Sequence, residues 1–359
     1  MNKLLIRFSV ILFWLALIFT ILYWPKWEVM HFDPRSINVF AWGDILEPSI
    51  IADFERETGI KIHLNYYSSN EELLVKLKAT KGEGYDLIVP SDYAVDLLIE
   101  EGLLKEIDHS KIFFYRDINP LLLGHDYDPD NRYSLPFEWE ICGLGVDKSF
   151  FQNKPFDPSW RAIFDPSYVN YKITMLNDPV ETILLGAFYL YGTVDELDPT
   201  QFQTLKNLLF TQKRWVEAYA DFRGDYFLAT RNCPVVVAFS SYIWRSMKKF
   251  DFIDFVVPKE GSFLSIENLS IPKASNKEEL VYEFINYLFR MQSVEKHFYT
   301  YGFFPSVLHP TFMQGLDEKT RSLIESSLSA FRKYHFTKVL VPYHEIQNLW
   351  VELKTRSSD

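Results

Sequence analysis

Carboxylates stand beside aromatic residues at several points where a strand should end. Asp44 lies two residues past Trp42, Asp178 and Glu181 flank Pro179 and Val180 just after the apolar Lys172–Leu176, and Glu267 sits just before Leu269. Asp178 and Glu181, three apart in a helix start, point the same way. Each acid taken singly reads as a helix cap, worth about 1 kcal/mol. Taken with Trp42, Tyr93 and Phe239, all at the carboxyl ends of strands, they describe a cleft with acidic points and aromatic walls. That lining suits an alkyl ammonium, whose charged ends need carboxylates and whose methylenes and N–H groups pack on rings.

The elements that must position these residues follow from apolar runs and caps. The stretch GYDLIVPSDY, residues 84–93, is the organising one. Leu87, Ile88 and Val89 form a short run suited to a strand buried on both faces, Pro90 stops it, and Ser91 and Asp92 are N-cap types ahead of a helix carrying Val95, Leu97 and Leu98. In open α/β sheets ligands sit at such strand-to-helix openings. Ahead of it, strand Ile37–Phe40, helix Glu47–Thr58 stopped by Gly59, strand Lys61–Tyr66 and a helix behind the capping box Ser69–Glu72 complete a β-α-β-α-β-α run, hence a parallel sheet. Tyr66 and Tyr67 face opposite ways along their strand. A second cycle holds strand-like Cys142–Val146, strand Lys172–Leu176, a helix through Ile183–Tyr191 closed by Gly192, a helix after Asp198–Pro199 and the apolar strand Cys233–Phe239. A strand Leu269–Pro272 precedes a capping box, Ser275 to Glu278, and an amphipathic helix; helical segments around Leu323–Lys333 and Tyr343–Lys354 end the chain. At 359 residues and 48% hydrophobic, the chain exceeds one comfortable domain, so two lobes are expected.

Residues 8–23 are apolar but for Ser9 and Thr20, follow Lys3 and Arg7, and end in bulky Ile21, Leu22, Tyr23 and Trp24 without a small-residue cleavage site. Residues 1–26 therefore read as an uncleaved signal anchor, with the body exported, and 27–35 as a tether. Residues 27–359 carry 34 basic against 48 acidic residues, a formal −14 that disfavours nucleic acid and anionic membrane as partners. Cys142 and Cys233 follow no motif and are either one disulfide or two buried thiols. No phosphate-cradling or dinucleotide glycine loop, no Gly-x-Ser-x-Gly elbow and no i, i+4 histidine pair occurs, so neither cofactor, metal nor catalytic residue is expected.

From about Ile37 to Lys354 the sequence is similar to the periplasmic solute-binding proteins of bacterial polyamine importers, the spermidine/putrescine-binding type. The likeness rests on ordered motifs: Trp42 after the first strand, ETGIK, YDLIVPS, EGLLKEID, SWRAIFDPSY, VVPKEG and NLSIP. The resemblance implies a two-lobed periplasmic-binding-protein fold of the second type, each lobe a mostly parallel sheet flanked by helices, with the ligand in the interlobe cleft. It maps ligand contacts onto Trp42, Gly43 and Asp44, Ser91 and Tyr93, Asp178 and Glu181, and Glu267. A stacking Trp of the family appears as Phe239, another as Ser265, and a Tyr as Phe303; a family glutamine has no clear match near Phe336–Thr337.

The expected limits are 36–138 plus 262–304 for the first lobe and 139–261 plus 305–355 for the second. The expected function is a monomeric, non-enzymatic periplasmic protein, tethered to the inner membrane, that closes over spermidine or putrescine and delivers it to an ABC permease. A membrane-tethered sensor using the same cleft is the cross-class alternative. An amino-acid binder would want an Arg for the carboxylate, and an iron binder a set of oxygen ligands.

Overall fold

The computed structural model describes residues 12–14, 34–152, 156–192, 195–220 and 224–355. Strand β1 (Ser36–Trp42) carries an almost continuous apolar run, and Ile37, Val39, Phe40 and Ala41 are fully buried, as a strand covered on both faces requires. Strands β2 (Lys61–Tyr67) and β3 (Leu87–Ile88) pair with it in parallel, in the order β2-β1-β3. Helices α1 (Pro48–Thr58), α2 (Asn70–Thr80) and α3 (Asp92–Glu100) follow the three strands in turn. Gly59 ends α1 at φ +72°, where a side chain would be strained. Tyr67 is buried and Tyr66 exposed, the alternation a strand imposes.

The second sheet is larger and mixed. Strands β4 (Leu135–Asp147), β5 (Ile173–Met175), β6 (Val216–Tyr219), β7 (Val235–Phe239), β9 (Ser262–Leu269) and β11 (Tyr334–Phe336) run in the order β11-β9-β4-β7-β5-β6. β8 (Ile253–Val256) and β10 (Phe304–Pro305) also pair with β4. The first half of β4 pairs antiparallel with β9, and its second half with β7 and β8. Just past β9, the bridge Ile88–Ser270 joins the chain to the small sheet, and Leu104–Pro272 joins it to the segment after α3. β4 and β9 thus run through both bodies. Around them lie helices α4 (Pro179–Tyr191), α5 (Pro199–Gln212), α6 (Ser240–Met247), α7 (Glu278–Leu288), α8 (Met291–Tyr301), α9 (Glu318–Ser329) and α10 (Tyr343–Thr355).

One core gathers β1, α1 and α7 around Phe54 and Phe284; another gathers β5, α4 and α5 around Phe164 and Leu205. A third, with Trp139, Trp244, Phe298, Phe304 and Phe331, lies against the crossing strands.

Several local expectations are corrected. β4 spans thirteen residues rather than Cys142–Val146, and every one is buried. Pro136, Glu138 and Glu140 break its apolar run, but neighbours on both edges compensate. β9 ends at Leu269, where the sequence suggested a start, because Ser265, Glu267 and Asn268 lie inside the strand. The box expected from Ser275 to Glu278 does not form: Lys277 occupies the cap position, the Ser275 hydroxyl donates to Asp86, and Glu278 pairs with Lys105. At α2 Ser69 does cap the Glu72 N–H, but the Glu72 carboxylate returns to Ser68. Cys142 and Cys233 are buried free thiols in different cores. The anchor and tether lie outside the described residues except for 12–14 and 34–35. Among the described residues no helix is long and apolar enough to cross a membrane.

Candidate functional site

The carboxyl ends of strands from both sheets open onto one cleft of about 550 Å³. β1 delivers Trp42 and Gly43, the turn after β2 delivers Ser68 to Glu71, and the β3–α3 turn delivers Ser91, Asp92 and Tyr93. From the other side come Leu176 to Glu181 between β5 and α4, then Phe239 and Tyr242 between β7 and α6. Glu140 of β4 and Ser265 of β9 also line it. Tyr343, Gln347 and Trp350 form a further wall, since spacings of four and seven put them on one face of α10.

Of the residues expected from sequence, Trp42, Ser91, Tyr93, Asp178, Glu181, Phe239 and Phe303 line this cleft. Trp42 packs on Tyr67 with ring centroids 4.6 Å apart, and its indole N–H is buried with no partner among the described residues. Ser91 stands at the N-cap of α3 without capping it; its hydroxyl accepts from the Asn70 side chain at 2.7 Å. Burial, then the carboxylates of Glu71 and Asp178, push the Tyr93 hydroxyl up to about 12. Asp178 does cap α4, accepting from the Glu181 N–H at 2.9 Å, so a cap and a cleft-lining position coexist. Phe239 meets Phe263 edge-on at 5.7 Å, and Phe303 lies parallel to the His297 ring at 6.5 Å.

Two expected residues do not line the cleft. Asp44 is exposed on the turn after β1, in the left-handed region at φ +61°. Glu267 is buried behind Ser91, with which it makes a β-bridge; its Oε1 accepts from the Ser265 hydroxyl at 2.9 Å, and its Oε2 has no partner among the described residues. Burial raises its carboxyl well above the usual range.

Sequence reasoning missed the floor. Glu138 and Glu140 both sit on β4, with Glu138 opposite Glu267 and Glu140 opposite Ser265; of the two, Glu140 lines the cleft and Glu138 lies behind it. The Ser241 hydroxyl donates to Glu140 Oε2, and burial pushes the Glu140 carboxyl up to about 8. Asp92 accepts from the Ile266 N–H at 3.0 Å and the Tyr93 N–H, yet burial still lifts it to about 7. His297 of α8 turns Nε2 to the Ile45 carbonyl at 2.5 Å and Nδ1 to Glu138 Oε2 at 2.9 Å. With one ring nitrogen donating to a carbonyl, a shared proton on the other side completes the pair and leaves it neutral overall. The signal available for α10 was its Tyr-x3-Gln-x2-Trp spacing; for Glu138 and Glu140 none existed, because acids inside a strand read as interruptions.

Five of the lining residues are acidic: Glu71, Asp92, Glu140, Asp178 and Glu181. Among the described lining residues none is Lys, Arg or His. Lys354 stands at the edge, donating to Asn177 and lying 4.7 Å from the ring centres of Tyr219 and Trp350. Among the described residues no group of His, Cys, Asp and Glu is placed to hold a metal ion.

The chain belongs to the bacterial extracellular solute-binding proteins, whose family pattern matches residues 83–324. Such proteins bind a solute for transport. It is 29% identical over 276 residues to the spermidine/putrescine-binding periplasmic protein of Escherichia coli K12, covering 76% of this chain and 77% of that one. It is also 29% identical over 264 residues to the putrescine/cadaverine-binding protein of Pseudomonas aeruginosa, with 71% and 74% covered. A solved Listeria monocytogenes chain, described under spermidine/putrescine ABC transport, superposes with a TM-score of 0.78 at 27% identity, covering 89% of this chain and 99% of that one. The two-lobed periplasmic-binding-protein architecture is therefore that of this chain.

Proposed function

We propose that this protein captures a polyamine in the periplasm and delivers it to an ABC importer in the inner membrane. The observation that carries the reading is the cleft lining, five acidic side chains and several aromatic rings without a basic side chain among the described residues. Carboxylates receive the primary ammonium ends, and rings cover the methylenes and polarised N–H groups between them. The names of the relatives support the same class of ligand. Tyr93 and Phe239 approach from opposite sides, so closure of one lobe on the other completes the walls. The moving units are 36–138 plus 262–304 and 139–261 plus 305–355, hinged on β4 and β9. The protein has no turnover chemistry and works as a monomer, held at the membrane by residues 1–26.

Titration calorimetry of the full-length chain against putrescine, cadaverine, spermidine and a neutral diol tests the ligand class. Amines bind and the diol does not; equal binding of the diol overturns the reading. Intact mass of the membrane-extracted protein tests the tether: the expected mass includes residues 1–26, and a chain starting after residue 23 rules the anchor out.

A further inference from the structure

Glu140 is not among the residues carried over from the family, and its place on the floor follows from strand register. It pairs across the strands with Ser265, the position where the resemblance implies a tryptophan, so a small side chain faces it where a ring is expected. The side chain is 7% exposed and lines the cleft. Ser241 serves Oε2, while Oε1 has no hydrogen-bond partner among the described residues. The thiol of Cys142, on the same face two residues along β4, feels the carboxylates of both Glu181 and Glu140. The hydroxyl of Tyr242 feels Glu140, Asp44 and Glu267. Glu140 therefore stands within electrostatic reach of the groups that Glu181 influences on one side and Asp44 on the other.

We propose that Glu140 is an ammonium-binding carboxylate on the cleft floor that selects polyamines with an internal amine, taking the secondary ammonium of a linear triamine while the rim acids hold the primary ends. This rests on the polyamine reading above and narrows it. A diamine ending on the rim leaves the floor carboxyl facing methylenes, whereas a secondary ammonium offers it an N–H at the unpartnered oxygen. The surroundings make a compensating cation valuable. Glu138 on its own strand, Glu267 on β9, and Cys142 and Tyr242 nearby offer no positive charge, and Arg245 on α6 offers only a weak one. Burial keeps Glu140 protonated at neutral pH. Binding of the triamine then releases that proton to buffer and replaces it with the ammonium.

The test compares spermidine with 1,8-diaminooctane, which has the same chain length and a methylene in place of the internal nitrogen. Calorimetry of the full-length chain at pH 7, in buffers of different ionisation enthalpy, reports affinity and proton release together. The expected result is a preference for spermidine of about tenfold or more, with more protons released than for the diamine. Glu140→Gln, which keeps an acceptor for Ser241, loses both differences: the variant binds spermidine and 1,8-diaminooctane within about threefold of each other, with equal proton release. Glu140→Asp, with the charge withdrawn by a methylene, keeps part of the preference. A parent that binds both amines alike with equal proton release, or a Gln variant that keeps the preference, overturns the role of Glu140 and leaves the polyamine reading standing. A folded parent that binds neither amine removes both.

Discussion

Asp178 and Glu140 line the same cleft, and the difference between their surroundings divides it into a rim and a floor. At the rim, Asp178 is exposed at the start of α4, holds the Glu181 N–H and remains in contact with water. On the floor, Glu140 and Asp92 are each under 10% exposed, and Glu138 and Glu267 lie buried behind it on β4 and β9. A carboxylate that water reaches keeps its charge cheaply and adds a cap. One that water does not reach keeps its proton until a cation arrives. The lesson is that acids of one cleft fall into two kinds, ready charges and latent ones.

The largest expected consequence is on stability. Glu140 at about 8 and Asp92 at about 7 hold protons in the folded chain over a range where the unfolded chain has lost them. The folded state binds more protons there, so stability falls as pH rises from about 4 towards 8. His297, held above its ordinary value by the Glu138 carboxylate against the opposing effect of burial, pushes the same way. Denaturant titration at pH 5 and pH 8 should show a loss on the order of 2–5 kcal/mol, with Glu140→Gln flattening much of it. A stability that rises over this interval would erase the distinction between floor and rim.

Next in size is the rim's effect on ligand. Glu181→Gln keeps shape and removes a ready charge, so one ammonium is left desolvated and poorly paired. Polyamine affinity should fall by about 2–3 kcal/mol, roughly 30- to 150-fold, while the pH profile of stability stays that of the parent. Affinity within threefold of the parent, at one salt concentration, would make Glu181 a bystander.

The smallest effect separates the two duties of Asp178. Asp178→Ala removes the cap and should lower stability by about 1 kcal/mol, readable as a shift in melting temperature. Asp178→Asn keeps a capping oxygen, so stability returns while polyamine affinity remains reduced. Equal stability of the two variants would mean that the hydrogen bond to Glu181 contributes nothing.

What could be read without tertiary structure was local. The run Leu87–Val89 bounded by Pro90, the stop at Gly59, and Asp198 before Pro199 each specify an element through interactions among near neighbours, and each element formed. The rim acids follow from this, because a strand's end and a helix's start are encoded within a few residues. Trp42, Ser91, Tyr93, Asp178, Glu181 and Phe239 all sit at such junctions. Glu267 also looked like a strand-start residue, but it lies inside β9 behind the cleft wall.

The floor required partners distant in sequence. Glu138 and Glu140 are inside a strand because β9, β7, β8 and β10 supply its hydrogen bonds, and Glu138 is tolerated because His297 reaches it from more than a hundred residues away. Apolar periodicity and capping chemistry, written into the chain itself, determined the order of strands and helices and the acidic, aromatic character of their ends. Which acids water can reach, and so which carry charge, was decided only when β4 and β9 crossed between the lobes, because desolvation depends on everything packed around a group and not on its neighbours in sequence.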